Sequence, residues 1–426
     1  MISDANAARP GKREYEYIVI GLGGIGSGAA YWLARRAGAE VLGLEQYELG
    51  HDKGASEDHS RIIRLSYETP AYVELAIHSY KAWHEVEEDA SERLIVVCGG
   101  LDLWPKGDSS PVSREDHIAS MAAHGIPCEP LDAAEIMGRY PQFRLGEGTT
   151  GLYQAQSGIA PAGRCNAAHR LLARRHGATL LDNTPVTAVA PLADGMEVTT
   201  PDATYRCRRL VVAADAWTND AWTNDVLRPL GVHIPLTRTQ EQVTYYASPR
   251  LREFHPDRFP VWIWQDNPCY YGLPVHGEEA GVKVAQDLGG REVTPETRTF
   301  DPDRDTLARV DGFMRHHMPM AMGPALYTKT CMYTMPPDRD FIVDTLPAYP
   351  QVLLAQGAGH AFKFASILGR VLSELAIDGA TAYNIAPFAI DRPLLTMEDP
   401  PRAFEMYLRY NEETQGAFAH APSHEL

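Results

Sequence analysis

Cysteine is sparse in this chain. The six residues Cys98, Cys128, Cys165, Cys207, Cys269 and Cys331 are scattered through 426 positions, with no Cys-x-x-Cys pair and no metal-ligand spacing. This excludes a zinc module and a disulfide framework, and five of the six read as small buried hydrophobes. No metal site is expected. Long apolar runs are missing as well, since none reaches the roughly 18 residues of a membrane-spanning helix. Residues 1–16 are polar and mixed in charge, without the apolar core of a signal peptide. A cytoplasmic protein with no membrane contact is expected. Positive charge is in deficit, with 39 Lys and Arg against 56 Asp and Glu for a net −17. That balance argues against nucleic acid and anionic membrane surfaces as partners. The composition is otherwise that of a globular protein, and 426 residues exceed one comfortable core, so two closely connected domains are expected.

What is present begins at residue 17. Tyr17-Ile18-Val19-Ile20 reads as a buried parallel strand and runs into Gly21-Leu22-Gly23-Gly24-Ile25-Gly26. A helical stretch over 27–36 follows, with Gly38 as its stop, and then a second strand over 41–44 that delivers Glu45 and Gln46. Gly21 allows the tight turn, Gly23 admits a pyrophosphate against the backbone, and Gly26 lets helix and strand pack closely. Free N–H groups at the helix start then face the phosphates. Glu45 stands nineteen residues beyond Gly26, where an acid accepts hydrogen bonds from ribose hydroxyls. Strand, glycines, helix, strand and acid in register predict a Rossmann-type dinucleotide site.

Downstream, Ser60-Arg61-Ile62-Ile63-Arg64 sets two arginines three apart around a packed apolar pair. Composition alone would leave them solvated, but their place after the ribose strand favours a ligand. Helices are predicted over 70–89, 113–124, 132–137 and 161–176, and a strand with a glycine pair over 94–103. Four short strands are predicted within 178–214, one near Val186. The units Ala216-Trp217-Thr218-Asn219-Asp220 and Ala221-Trp222-Thr223-Asn224-Asp225 are identical and read as a local duplication in a surface loop. Residues 234–283 alternate and are rich in aromatics, which predicts antiparallel strands of a second sheet walling a pocket. Strands follow over 327–333, 341–344 and 352–355, and Gly357-Ala358-Gly359-His360 opens a long helix over 361–377. The stretch 402–410 is amphipathic and carries no assignable function.

Several late features converge on one chemistry. Cys331 lies on a strand, a glycine-rich strand-to-helix junction spans Gly357 to Lys363, and Lys283 sits in an apolar strand, where it needs a partner or a depressed pKa. Gly-Leu-Gly-Gly-Ile-Gly, Ser-Arg-Ile-Ile-Arg, Gly-Val-Lys-Val, Lys-Thr-Cys-Met-Tyr-Thr and Gly-His-Ala-Phe-Lys-Phe together resemble the monomeric sarcosine oxidase and N-methyltryptophan oxidase family of flavin amine oxidases, over about residues 15–393.

The resemblance implies a mixed α/β protein of D-amino-acid-oxidase-like architecture. Residues 15–90, 150–230 and 335–393 would form a discontinuous FAD domain, residues 91–149 and 231–334 a mostly antiparallel substrate domain, and 394–426 a tail. It implies FAD held through Gly21, Gly23, Gly24, Ile25, Gly26, Glu45, Gln46, Ser60, Arg61, Val186, Gly357, Gly359, His360 and Lys363, and covalently joined through Cys331. Lys283 would activate oxygen, Arg64 and Lys363 would clamp a substrate carboxylate, Tyr271 and Tyr333 would line the cavity, and His360 would lie at the flavin's pyrimidine end. The expected reaction is oxidation by O2 of sarcosine or another N-methyl amino acid, releasing formaldehyde and H2O2, in a monomeric enzyme. Fructosyl-amino-acid oxidase, pipecolate oxidase and a dehydrogenase with a non-oxygen acceptor are the alternatives. Three departures stand out. Asp287 replaces the family's histidine four residues after Lys283, Asp215 replaces a glycine, and Trp262 and Trp264 add bulk to a strand near the cavity.

Overall fold

The computed structural model describes residues 11–107, 109–218, 227–277 and 281–416. Its strand Glu14–Ile20 is central to an eight-stranded sheet and is flanked in parallel by Val41–Leu44 and Thr204–Val212. Ile18 and Val19 are fully buried, as a parallel strand covered on both faces requires. Thr179–Leu181 extends the sheet on one side. On the other, Thr204–Val212 pairs with Gly195–Thr199 and, at its far end, with Tyr349–Gln356. Helices Gly24–Ala37, Ala162–Arg175 and Ala365–Asp378 pack together, with Ala29, Ala168 and Leu368 in one core.

The second sheet has nine strands and is mostly antiparallel; Val261–Trp264 and Gly100–Trp104 form a parallel pair within it. Thr237–Tyr246 pairs with Ala325–Met335 along its length and with Val282–Asp287 at its end. The two-residue period of a strand sorts the side chains to two faces. Val282, Val284, Trp262, Trp264 and Tyr270 turn to one face and pack against helix Arg304–His317, where Trp262 stacks on Phe313 at 5.6 Å. Lys283, Asp287, Ile263, Cys269, Tyr271, Cys331 and Tyr333 turn to the other and line a cavity. Both tryptophans of the 261–264 strand are therefore core and do not narrow the site. A three-stranded sheet of Arg61–Ile63, Gly158–Ala160 and Val96–Val97 adjoins the same cavity through Arg61 and Ile62.

Some expectations change. The run 94–103 forms two strands in different sheets, Val96–Val97 and Gly100–Trp104, because Gly99 turns the chain at φ +80° under the Tyr153 ring. The last long helix begins at Ala365, after a 3₁₀ turn at Phe362–Phe364. Ser79 Oγ and Trp83 Nε1 donate to the Lys363 carbonyl at 2.5 and 2.9 Å at that turn. Cys165 and Cys207 are buried, Cys98 and Cys128 are half-buried, and buried Cys269 faces the cavity and not a closed core; all six are free thiols. Most of the duplicated unit lies outside the described residues. No helix among the described residues is long and apolar enough to cross a membrane.

Candidate active site

Two cavities meet at Gly23, Ala55, Ser56, Ala213 and Asp215. The smaller, about 80 Å³, is lined by Gly21, Gly23, Glu45, Gln46 and Val186 from the predicted set. Gly21 takes φ +85° and donates to the Leu44 carbonyl at 2.9 Å. Glu45 is buried and accepts from Leu22 N at 2.8 Å and Tyr47 N at 3.2 Å, with His51 Nε2 at 3.3 Å. Burial raises its carboxyl, but His51 and the backbone donors outweigh that and hold it below the usual range. Gly26 does not line the cavity. A Cβ there would lie 1.8 Å from the Gly21 oxygen, so its part is helix-to-strand packing.

Asp215 stands where the cavities join, at φ +47°, and accepts from Gln356 Nε2 at 2.8 Å. Burial pushes its carboxyl up to about 6. The backbone keeps the conformation that glycine would favour, so the departure leaves the turn intact and adds a carboxylate.

The larger cavity measures about 480 Å³ and brings together Gly23, Gly24, Ile25, Arg61, Arg64, Tyr271, Lys283, Cys331, Tyr333, Gly357, Gly359, His360 and Lys363. Lys283 is 1% exposed, and its Nζ lies 2.5 Å from Asp58 Oδ2 and 2.6 Å from the Ser60 carbonyl. Ser60 thus takes part through its backbone and does not line the cavity. An ammonium has three protons, so one remains for the cavity side. Asp58 also accepts from Arg61 Nη1 at 2.6 Å and from the Tyr245 hydroxyl at 2.6 Å. Burial pushes its carboxyl up, but Lys283 and Arg61 prevail and hold it well below the usual range. Lys283 is lowered to about 8 by burial, with Asp58 opposing. A buried lysine needs a partner or a depressed pKa; this one has both.

The expected two-cation clamp is altered. Arg64 Nη1 is bound to Asp102 Oδ1 at 2.8 Å, while its Nε is buried with no partner among the described residues. Lys363 has no ion-pair partner among the described residues, and burial with nearby Arg64 lowers it to about 7. Lys363 is therefore the more open cation, and Arg64 offers its Nε edge. Cys331 pairs across the sheet with Glu241, and burial raises its thiol to about 11. Glu241 is buried, accepts from Thr239 Oγ1 at 2.5 Å and Gly290 N at 3.1 Å, and is pushed up to about 7 by burial. His360 packs on Phe341, with Nε2 3.0 Å from the Arg339 carbonyl, and burial keeps it neutral. Burial likewise raises Tyr271 and Tyr333.

Sequence reasoning missed Asp58, Asp102, Glu241, Arg339, Phe404 and Tyr407. Lys283 in an apolar strand was the one signal that an acid such as Asp58 was needed. Asp287 is not free, because Arg339 Nη2 donates to it at 2.9 Å.

The donor set fits a flavin dinucleotide: the Glu45 carboxylate ends a glycine-turn cleft that opens into a cation-lined cavity holding Cys331. Residues 16–375 match the DAO family, FAD dependent oxidoreductase. The chain is 38% identical over 384 residues to monomeric sarcosine oxidase of Streptomyces avermitilis, covering 88% of this chain and 96% of that one. It is 30% identical over 385 residues to N-methyl-L-tryptophan oxidase of Escherichia coli, covering 89% and 99%. The structure of NikD, an unusual amino acid oxidase essential for nikkomycin biosynthesis, superposes with a TM-score of 0.78 at 28% identity, covering 89% of this chain and 98% of that one. With its cleft, cations and glycine turn so arranged, this chain belongs to the DAO family of FAD-dependent oxidoreductases.

Proposed function

We propose that the protein is an oxidase of secondary amino acids, acting on sarcosine or another N-methyl amino acid with O2 and water to give the demethylated amino acid, formaldehyde and H2O2. The carrying observation is buried Lys283, fixed by Asp58 on the same cavity face as Cys331 and in one cavity with Lys363 and Arg64. Bound FAD supplies the two-electron acceptor for oxidation of the carbon–nitrogen bond. Lys363 and the Arg64 Nε edge hold the substrate carboxylate and orient the amine. Lys283 presents positive charge where oxygen gains electrons. Tyr271, Tyr333 and the apolar wall exclude water. Glu45 and the glycine turn would hold the dinucleotide end, Cys331 would be the residue that carries a covalent link to the bound flavin, and His360 lines the same cavity as a neutral imidazole. The division of the chain into a cofactor domain on the eight-stranded sheet and a substrate domain on the nine-stranded sheet belongs to this reading, as do a monomeric state and a cytoplasmic location.

The fructosyl-amino-acid alternative drew on Asp287, which lines the cavity and is already engaged by Arg339 at 2.9 Å. The deciding experiment measures peroxide from the purified protein in air with sarcosine, N-methyltryptophan, pipecolate, proline and fructosyl-valine. Sarcosine or another N-methyl amino acid should lead. A lead by fructosyl-valine overturns the substrate assignment, and turnover only with electron-accepting dyes makes the protein a dehydrogenase. Acid precipitation should leave the flavin with the wild-type protein and release it from Cys331→Ser; release from both removes the covalent link.

A further inference from the structure

The helix Glu405–Glu413 lies far along the chain from every motif used above, yet the residues at its start reach the cavity. Ala403, Phe404 and Tyr407 line it together with Cys269, Ile263 and Asp287. Phe404 is 1% exposed and joins Tyr407 and Leu408 in an apolar cluster with Cys269, Leu288 and Met335, packed against Tyr333 and Ile263. The helix is tied to both sides of Asp287. Asn411 Nδ2 donates to the Leu288 carbonyl at 2.7 Å, and Gln286 Nε2 donates to Asn411 Oδ1 at 2.9 Å. Ala403 N donates to the Pro337 carbonyl at 2.8 Å, two residues before Arg339, and Arg402 pairs with Glu292 at 2.5 Å. The charged pair in this wall, Asp287 with Arg339, meets at 2.9 Å, with Arg339 Nε left without a partner among the described residues.

We infer that this C-terminal helix is the specificity wall of the site, and that Phe404 and Tyr407 bound the space for the substituent the amine carries beyond its carboxylate and select a small, uncharged, apolar one. The inference rests on the amine-oxidation reading and deepens it. Two aromatic rings offer dispersion contact, and beside them, among the described residues, only the Tyr407 hydroxyl, Arg339 and Asp287 can hydrogen-bond a substituent. An apolar substituent gains along the rings, whereas a polyhydroxylated one would leave the hydroxyls that face them unpaired. The size limit comes from rings held at both ends of their segment, so it is rigid.

The test uses the full-length, flavin-loaded protein with Phe404→Ala, Phe404→Leu, Tyr407→Ala and Tyr407→Phe. The ratio of kcat/KM for N-methylphenylalanine to that for sarcosine should rise roughly tenfold or more in the alanine variants, chiefly through KM, as expected when a pocket gains several methylenes of room. Phe404→Leu should give an intermediate rise and keeps the result readable if Phe404→Ala fails to fold. Tyr407→Phe should keep the wild-type ratio, because shape and not the hydroxyl sets the limit. A second readout does not need turnover: titrating flavin absorbance with acetate and phenylacetate should show the same gain for the larger carboxylate. Normal turnover with both ratios unmoved in the Phe404→Leu and Tyr407→Ala proteins overturns the wall. No turnover of any N-methyl amino acid, with the phenylacetate gain present, overturns the reaction and leaves the wall standing.

Discussion

Asp58 serves two cations with one carboxylate, and much of the site's charge state follows from it. Asp58→Asn leaves Lys283 and Arg61 buried side by side without an anion, so the flavin-loaded protein should lose about 3–5 kcal/mol in chemical denaturation. Lys283, already lowered to about 8, should drop further, since the group that favours its charged form is gone while burial remains. A neutral amine offers no charge to oxygen, so flavin reoxidation in Asp58→Asn should decline at a lower pH than in wild type. Superimposable pH profiles would sink this assignment. Lys363 gives a second pH effect. Its ammonium form dominates below about 7 and its amine form above. Acetate, read by flavin absorbance, should therefore bind more weakly as pH rises through that value, and Lys363→Met should bind weakly at every pH. The lysine's need for an acid was legible in its apolar neighbours. The identity of that acid was not, because Asp58 lies 225 positions away in a polar stretch that reads as solvated.

At the scale of elements, the helices Gly24–Ala37 and Ala365–Asp378 meet backbone to backbone. A Cβ on Gly369 would lie 2.3 Å from the Gly28 carbonyl carbon, and one on Gly28 would lie 2.6 Å from the Ala365 oxygen. Gly369→Ala must part the helices, and an overpacked contact of this kind should cost about 1–3 kcal/mol. Both helices begin at the cavity, through Gly24 and the Phe362–Phe364 turn, so flavin retention on gel filtration should fall along with the melting temperature. Gly138 is the control: it lies in helix Ala133–Arg139, where an added methyl would meet no atom within 4 Å, and Gly138→Ala should be neutral or stabilising. Elements whose signals are contiguous were legible: the glycine turn, its helix and Glu45 form one local pattern. The strand 261–264 was legible as a strand, but not which face met the cavity. Both of its faces are covered, one by Phe313 and one by the site, so alternation could not choose between them. The tail helix was legible as amphipathic only, because what its apolar face covers is assembled from residues of separate strands, Ile263, Cys269, Tyr333 and Met335, together with Leu288, all far earlier in the chain.

At the scale of the molecule, the site is a seam. The eight-stranded sheet contributes Glu45 and the glycine turn, and the nine-stranded sheet contributes Lys283 and Cys331. In that seam Arg61, Arg64, Lys283, Arg339 and Lys363 line the cavity together with Glu68, Asp215, Asp287, Asp338 and Asp340, and Asp58 and Asp102 pair with Lys283, Arg61 and Arg64, so charges from both sheets meet there. A ligand that spans both sheets should therefore do more than occupy space: it should hold the seam closed. Cys331→Ser protein, from which flavin can be removed, makes this measurable. FAD should raise its melting temperature progressively with concentration, corresponding to about 2.7 kcal/mol at a hundredfold excess over Kd. Riboflavin, which lacks the part that reaches Glu45, should raise it far less at equal concentration. Hydrogen exchange should slow on FAD addition both at residues 21–26, which follow a strand of the eight-stranded sheet, and at residues 329–333, which lie in a strand of the nine-stranded sheet. Slowing confined to one side, or equal stabilisation by riboflavin, would mean that the cofactor sits on one sheet alone and that the two sheets are held together by their own packing.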